Sequence, residues 1–206
     1  MLDRGRDLPA PDGSDDDLSP GTLLVAPPSE DDDSTFGRSV VLLVDREPPW
    51  TVAGLVLNRP LDTPAIDQAA RAALFLPNVS ARAFWGGPIG SDPVLLAELR
   101  PPLDERAPDD LAWFHLDQQA RRPFPLPGLG LVALGEHHDA FEGRIARARL
   151  FVGLSIWAVV QLRREVERGD WWLVPGNLED AFDAEPETLV DRVRARRAET
   201  DAGGPT

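Results

Sequence analysis

Short apolar runs separated by turn-forming residues follow one another along most of the chain, a pattern that is typical of β-strands. We predict strands over residues 21–26, 39–44, 52–57, 83–85, 94–99, 112–116, 129–134, 149–154 and 171–174. A polar segment from Asp45 to Trp50 separates the second and third runs, so these strands are predicted to form a β-hairpin with a longer loop. Gly54, inside the third run, predicts a β-bulge or a close backbone approach.

Three segments show the apolar spacing of amphipathic helices. The first begins at Thr63-Pro64, the second follows Ser155 and ends at Gly169, and the third begins at Pro186. Strands mixed with a few helices, without regular β-α-β alternation, predict an α+β fold. We therefore expect one compact domain with a mixed, largely antiparallel sheet and a few packed helices.

The two ends of the chain lack a periodic apolar pattern. Residues 1–20 are rich in Asp, Pro, Gly and Ser and are predicted to form a disordered acidic tail, and residues 199–206 a second disordered tail. The domain is then predicted to span residues 21–198. The N-terminal residues have no apolar stretch like that of a signal peptide, and no apolar run approaches the roughly 18 residues of a membrane span. These features predict a cytoplasmic protein that does not contact a membrane.

The formal net charge is −14, and residues 1–35, with ten acids and two Arg, contribute −8 of it. The rest of the chain contributes −6. Proteins that bind DNA or RNA present a basic surface to the phosphate backbone, so this balance argues against a nucleic-acid partner. The alternative is weak DNA binding through the Arg-rich C-terminal helix, which carries Arg192, Arg194, Arg196 and Arg197.

Three residue types are missing from the chain, which contains no Lys, no Tyr and no Cys. Without Lys there is no Schiff base, pyridoxal-phosphate anchor or P-loop clamp, and without Cys no thiol nucleophile or zinc finger. The adjacent His137 and His138 do not have the spacing of a metal site, and the run Asp31–Asp33 lacks the alternate spacing of a calcium loop. We therefore predict no metal and no cofactor.

The segment Gly153–Trp157, between a predicted strand and a predicted helix, is similar to the G-x-S-x-G nucleophile elbow of hydrolases. That turn requires small residues beside the Ser, and Trp157 stands where the last Gly would be. All 3 His precede Ser155, whereas the hydrolase order places the His after the Ser. These departures favour Ser155 as the N-cap of the following helix.

Polar residues near the ends of the hairpin strands suggest an anion site. Arg38 precedes one strand, and Asn58 and Arg59 follow the other, so antiparallel pairing brings these residues together. The adjacent Gly86 and Gly87 add unobstructed backbone N–H groups that can form an anion-binding turn. Guanidinium and amide donors suit a carboxylate or a phosphate. The alternative is that Arg38 and Asn58 only tie loops together and that the glycines only form a tight turn.

Five segments occur in an order and spacing that belong to a known family: Gly21–Pro28, Phe36–Leu43, Gly54–Pro60, Gly86–Ile89 and Gly153–Trp171. They resemble the YqgE/AlgH family of bacterial proteins, and the last segment matches at Trp157, Gln161, Glu165 and Trp171. Two positions depart from the family pattern, since Leu154 stands in place of a Tyr and Ile156 in place of a Gly. An altered ligand pocket is one consequence that these departures suggest.

The resemblance implies a compact α+β domain from a family that is described as uncharacterised. One branch is associated by name with the regulation of alginate synthesis and is called a transcriptional regulator. The resemblance implies no catalytic residues.

A binding or regulatory module is the function that these observations favour, with Arg38, Asn58, Arg59, Gly86 and Gly87 as the predicted binding residues. The partner would be a small anionic ligand or another protein. An enzyme acting on a small anionic substrate is the alternative, and the absence of an evident general base counts against it.

Overall fold

The computed structural model of the chain describes residues 17–29, 34–47, 50–61, 79–100, 113–115, 126, 128–132 and 145–202. Its strands are β1 (Thr22–Val25), β2 (Val40–Glu47), β3 (Thr51–Val56), β4 (Val79–Trp85), β5 (Ile89–Leu99), β6 (Trp113–His115), β7 (Leu129–Val132), β8 (Ile145–Ala158) and β9 (Trp172–Pro175). Its helices are α1 (Val159–Glu167), α2 (Leu178–Ala181) and α3 (Leu189–Ala202), and a 3₁₀ turn over Pro186–Thr188 precedes α3. None of the helices in these ranges is long and apolar enough to cross a membrane.

The strands pair in the order β6-β7-β5-β8-β3-β2-β1-β9. Neighbours in this order are antiparallel, and β4 lies outside it as a parallel partner of β8. β8 is the longest of these strands and pairs with β4 and β5 along its first part and with β3 from Ser155 to Ala158. The predicted α+β fold with a mixed, largely antiparallel sheet is confirmed.

Successive side chains of the central strands enter two apolar cores on opposite faces of the sheet. Leu23 of β1 enters the first core, and its neighbour Leu24 enters the second core. α3 packs on the first core through Val190 and Val193, and α1 packs on the second core through Leu162. Because both faces are covered, β1 and β2 are apolar at consecutive positions rather than at alternate ones.

The predicted hairpin is confirmed, since β2 and β3 are antiparallel neighbours. Their register shifts between Leu43 and Asp45, beside Gly54, so the predicted bulge is also present. A Cβ atom on Gly54 would lie 2.6 Å from Cγ1 of Val41. Close packing therefore excludes a side chain at this position.

The prediction that Ser155 caps a helix is wrong. Ser155 lies within β8, and its hydroxyl donates a 3.3 Å hydrogen bond to the carbonyl oxygen of Gly86. Pairing with β3 keeps the chain extended as far as Ala158, and α1 begins at Val159 without a side-chain cap. The predicted end of this helix is confirmed by Gly169, which follows the C-cap with a φ of +82°.

Packing extends beyond the predicted domain of residues 21–198 at the N-terminal end, whereas residues 199–202 are helical and exposed. Leu18 is only 2% exposed and belongs to the second core, and α3 continues to Ala202. Several predicted features lie outside the described residues: residues 1–16 and 203–206 of the two tails, the helix from Thr63-Pro64, the Asp31–Asp33 run and the His137-His138 pair.

Candidate ligand-binding groove

An open groove of about 610 Å³ lies beside α1. One side consists of residues 26–29 and 34–37, which follow β1 and precede β2, and we call these residues the loop wall. The other side consists of Gln161 and Glu165 of α1 together with residues 169–171, and Trp157 lies beneath both. This volume is in the range of ligand sites, roughly 300–1,000 Å³. We call it the aromatic groove.

Three aromatic rings pack against one another along the aromatic groove. The ring centroid of Phe36 lies 5.5 Å from those of Trp157 and Trp171, and the two Trp rings meet edge to face at 6.1 Å. A fourth ring, that of Trp85, lies 6.2 Å from Phe36. These separations are in the favourable range for aromatic pairs, so the rings form a prearranged apolar surface.

The helical spacing of α1 places Gln161 and Glu165 one turn apart on the groove side. Nε2 of Gln161 donates to Oε1 of Glu165 at 2.8 Å, and Nε1 of Trp171 donates to Oε2 of the same carboxylate at 3.0 Å. The carboxylate of Glu165 thus joins the polar rim of the groove to its aromatic surface.

Negative charge dominates the rim of the groove. Among the described residues that line it, Glu165 and Asp170 are acidic and none is basic. Arg168, which is exposed outside the lining, donates from Nε and Nη2 to Oδ2 of Asp170 at 3.0 and 2.5 Å. These hydrogen bonds raise the pKa of Arg168. Exposed ion pairs of this kind contribute little to stability.

α3 anchors both ends of the loop wall. Nε and Nη2 of Arg194 donate to the carbonyl oxygen of Ala26 at 3.0 and 2.7 Å. Nη2 of Arg38, directly after the loop wall, donates to Oδ2 of Asp191 at 2.9 Å. One face of α3 therefore holds the chain where it enters and leaves this side of the groove.

Asn58 and Arg59, two predicted binding residues, also anchor the loop wall. Oδ1 of Asn58 accepts from the Val40 N–H at 2.9 Å, and its Nδ2 donates to the Arg38 carbonyl at 2.8 Å. Nη2 of Arg59 donates to the Gly37 carbonyl at 2.9 Å. Burial lowers the pKa of Arg59. The structure thus brings Arg38, Asn58 and Arg59 together around one loop.

Gly86 and Gly87 are packed against β8 and follow Trp85, whose N–H donates to the carbonyl oxygen of Arg59 at 2.8 Å. The Gly86 N–H donates to the carbonyl of Val152 at 2.9 Å, so this amide already has a partner. A Cβ atom on Gly86 would lie 2.2 Å from the carbonyl oxygen of Gly153, and one on Gly87 would lie 2.2 Å from Oγ of Ser155. Close backbone approach explains both glycines, and an anion site at this turn stays a prediction.

The arginines of α3 are engaged with neighbouring parts of the fold. Arg192 pairs with Asp183, and Arg196 forms two hydrogen bonds to Asp180, at 2.9 and 2.7 Å. The guanidinium of Arg197 lies 4.1 Å from the centroid of the Trp172 ring. Together with the Arg194–Ala26 bonds, these contacts give each of the four residues a structural role.

The family pattern in the sequence marks residues of the groove that are not among the predicted binding residues. Four positions that match the family pattern all line the groove: Trp157, Gln161, Glu165 and Trp171. Leu154 packs against the first core, whereas Trp157 belongs to the second core. Leu154 and Ile156, the two departures from the family pattern, are not among the described residues that line the groove.

Sequence comparison links this chain to a described family. The sequence pattern of the AlgH-like family matches residues 23–200. A UPF0301 protein of Thermobifida fusca is 34% identical over 177 residues, which are 86% of each chain. A UPF0301 protein of Mycobacterium leprae is 36% identical over 152 residues, which are 73% of this chain and 68% of that protein.

Two solved structures share the fold. Protein DIP2367 from Corynebacterium diphtheriae matches with a TM-score of 0.68 and 24% identity over 86% of both chains. The AlgH protein from Pseudomonas aeruginosa matches with a TM-score of 0.56 and 16% identity over 97% of this chain and 99% of that one.

Proposed function

The chain belongs to the AlgH-like family, and from this premise we propose that it is a binding module that holds a peptide segment of a protein partner in the aromatic groove. The observation that carries the proposal is the groove itself, whose rings and rim are held in place by contacts within the protein. A site that is already arranged loses less entropy when a ligand binds.

The composition of the groove favours a peptide. Phe36, with the small exposed parts of Trp157 and Trp171, supplies apolar contact area. Gln161 and the hydroxyl residues of the loop wall supply hydrogen-bonding groups. A peptide presents apolar side chains and backbone polar groups at short intervals, and it suits a mixed surface that is open to solvent. A regulatory role, as the family resemblance implies, would be exerted through this partner, in the cytoplasm that the sequence predicts.

Two other functions have weaker support. The described lining residues include no His, which is the most common general base. The groove thus supplies little for the enzyme alternative. DNA binding through α3 would require arginines that now bond to Asp180, Asp183 and the Ala26 carbonyl.

Selection of random peptides displayed on phage against the immobilised full chain tests the proposal. Gln161→Trp places a large ring in the groove at an exposed position, and Arg164→Trp adds the same ring at another exposed position of α1. We expect selected peptides to lose at least about tenfold in affinity on Gln161→Trp and less than about twofold on Arg164→Trp. Equal effects of the two substitutions, or no selected peptides, would overturn the proposal.

A further inference from the structure

We infer that the aromatic groove selects a peptide through an arginine side chain, whose guanidinium docks against the half-buried ring of Phe36 and the carboxylates of Glu165 and Asp170. This inference rests on the proposed function and adds the chemistry that decides which peptide binds.

The first argument is charge. The groove presents two carboxylates and no basic side chain among its described lining residues, within a chain whose net charge is −14. An anionic peptide would meet repulsion both from the rim and from the protein as a whole. A cationic peptide is attracted at long range and can neutralise the rim when it binds.

The second argument is the unused hydrogen-bonding capacity of these carboxylates. An ionised carboxylate has about four acceptor positions on its two oxygens. Each oxygen of Glu165 accepts one bond from the protein, and both bonds from Arg168 reach Oδ2 of Asp170. Acceptor positions therefore remain on Glu165 and on Oδ1 of Asp170, and a guanidinium has five N–H donors to fill them.

The third argument is the half-buried ring of Phe36, which is the accessible part of the aromatic cluster beside the acids, since Trp157 and Trp171 are buried. A guanidinium stacks on an aromatic face while its apolar stem covers neighbouring rings. This chain already uses that geometry, with Arg59 at 5.0 Å from the Trp85 centroid and Arg197 at 4.1 Å from the Trp172 centroid. A planar guanidinium suits the groove better than the ammonium of lysine, which does not stack in this way.

A pair of capped tripeptides tests the inference, acetyl-Ala-Arg-Ala-amide and the same peptide with citrulline in place of arginine. Citrulline has the length and planarity of arginine without its charge. Each probe is titrated into the ¹⁵N-labelled full chain, and binding is followed at the indole N–H of Trp171, which bonds to Glu165. We expect the arginine peptide to bind at least about tenfold more tightly than the citrulline peptide.

Matched charge variants on α1 complete the experiment. Glu165→Gln keeps an acceptor for Trp171 but removes the charge. We expect this substitution to lower the affinity for the arginine peptide about tenfold. Glu167→Gln removes the same charge from an exposed residue of α1 outside the groove, and we expect a change of less than about twofold. An acetyl-Ala-Lys-Ala-amide titration should give weaker binding than the arginine peptide.

The outcomes separate the inference from the proposed function. Equal binding of the arginine and citrulline peptides, or an arginine preference that survives Glu165→Gln, overturns the inference. If phage-selected peptides still depend on Gln161 in that case, the groove binds peptides by other chemistry and the proposed function stands. If no selected peptide responds to Gln161→Trp, the proposed function itself is wrong.

Discussion

Nε1 of Trp171 donates a 3.0 Å hydrogen bond to Oε2 of Glu165, across the turn that follows α1. The bond fixes the acidic group of the groove to a ring that is only 5% exposed. The same ring contacts Phe36 of the loop wall, so the acid, the rings and the opposite side of the groove form one connected unit. A substitution at any of these residues should therefore affect both stability and binding.

Trp171→Phe tests this unit, because it keeps an aromatic ring and removes the N–H donor. We expect a loss of roughly 1.5–3 kcal/mol in the free energy of unfolding, as for a hydrogen bond to a charged group. Urea denaturation measures the change. The control is Trp50→Phe, at a side chain that is 66% exposed, where we expect less than about 0.5 kcal/mol. Similar losses at both positions would mean that the Trp171–Glu165 bond contributes nothing.

Asn58→Ala tests the anchoring of the loop wall. The substitution leaves the Val40 N–H and the Arg38 carbonyl without their shared partner, so we expect a loss of roughly 1–3 kcal/mol in urea denaturation. Asn58 does not line the groove, yet selected peptides should bind more weakly because the loop wall moves. Gln161→Ala, at an exposed residue, is the stability control. Unchanged peptide affinity in Asn58→Ala would show that the loop wall is held without Asn58.

The features that the sequence predicted correctly are local ones. The β2–β3 hairpin, the bulge beside Gly54 and the helix end at Gly169 each depend on a few neighbouring residues. Ser155 was misplaced because its conformation depends on pairing with β3, about a hundred positions earlier in the chain. Local propensity carries no information about such a partner.

The groove could not be predicted from the sequence for a similar reason, because residues far apart in the chain form it. It forms where Phe36 meets Trp157 and Trp171, and its loop wall is held by a bond from Arg38 to Asp191, 153 positions away. The predicted residues Arg38, Asn58 and Arg59 were correctly grouped by the hairpin geometry, but the structure uses them to hold a loop. The spacing of Gln161 and Glu165 alone indicated a shared helix face.

Gly86→Ala should be far more damaging than Gly90→Ala. A Cβ atom on Gly86 would lie 2.2 Å from a backbone oxygen of β8, whereas one on Gly90 has nothing within 4 Å and meets only the strain of a φ of +73°. We expect Gly86→Ala to lower the free energy of unfolding by roughly 3 kcal/mol or more, and Gly90→Ala to lower it by about 1 kcal/mol. Thermal and urea denaturation compare the two. A smaller loss in Gly86→Ala would place β4 farther from β8 than described.

Because of Arg149, the free energy of unfolding should increase as the pH rises through the alkaline range. Its side chain is 5% exposed, lies 4.2 Å from the Phe84 ring centroid and donates to the carbonyl of Asp183. Burial, with a smaller effect of Arg147, lowers the pKa of Arg149 to about 10. Above that pH the unfolded chain holds more protons than the folded one, so the free energy of unfolding rises with pH.

Urea denaturation at pH 8.5 and 10.5 measures this rise, which we expect to be about 0.5–1 kcal/mol. The chain has no Lys, Tyr or Cys, so side chains that usually titrate in this interval do not obscure it. Arg149→Met, which keeps the apolar length of the side chain, should lack the rise. A rise of equal size in Arg149→Met, or a fall in the unaltered protein, would show that Arg149 keeps its proton throughout.

The indole N–H resonances of the full chain test the central claim, peptide binding in the aromatic groove, most directly. A ¹⁵N spectrum is recorded with and without a phage-selected peptide at saturation. We predict that the signals of Trp157 and Trp171 shift, that of Trp172 on the first core does not, and Gln161→Trp abolishes the shifts. A bound peptide that shifts only Trp172, or none of the three signals, would contradict the account.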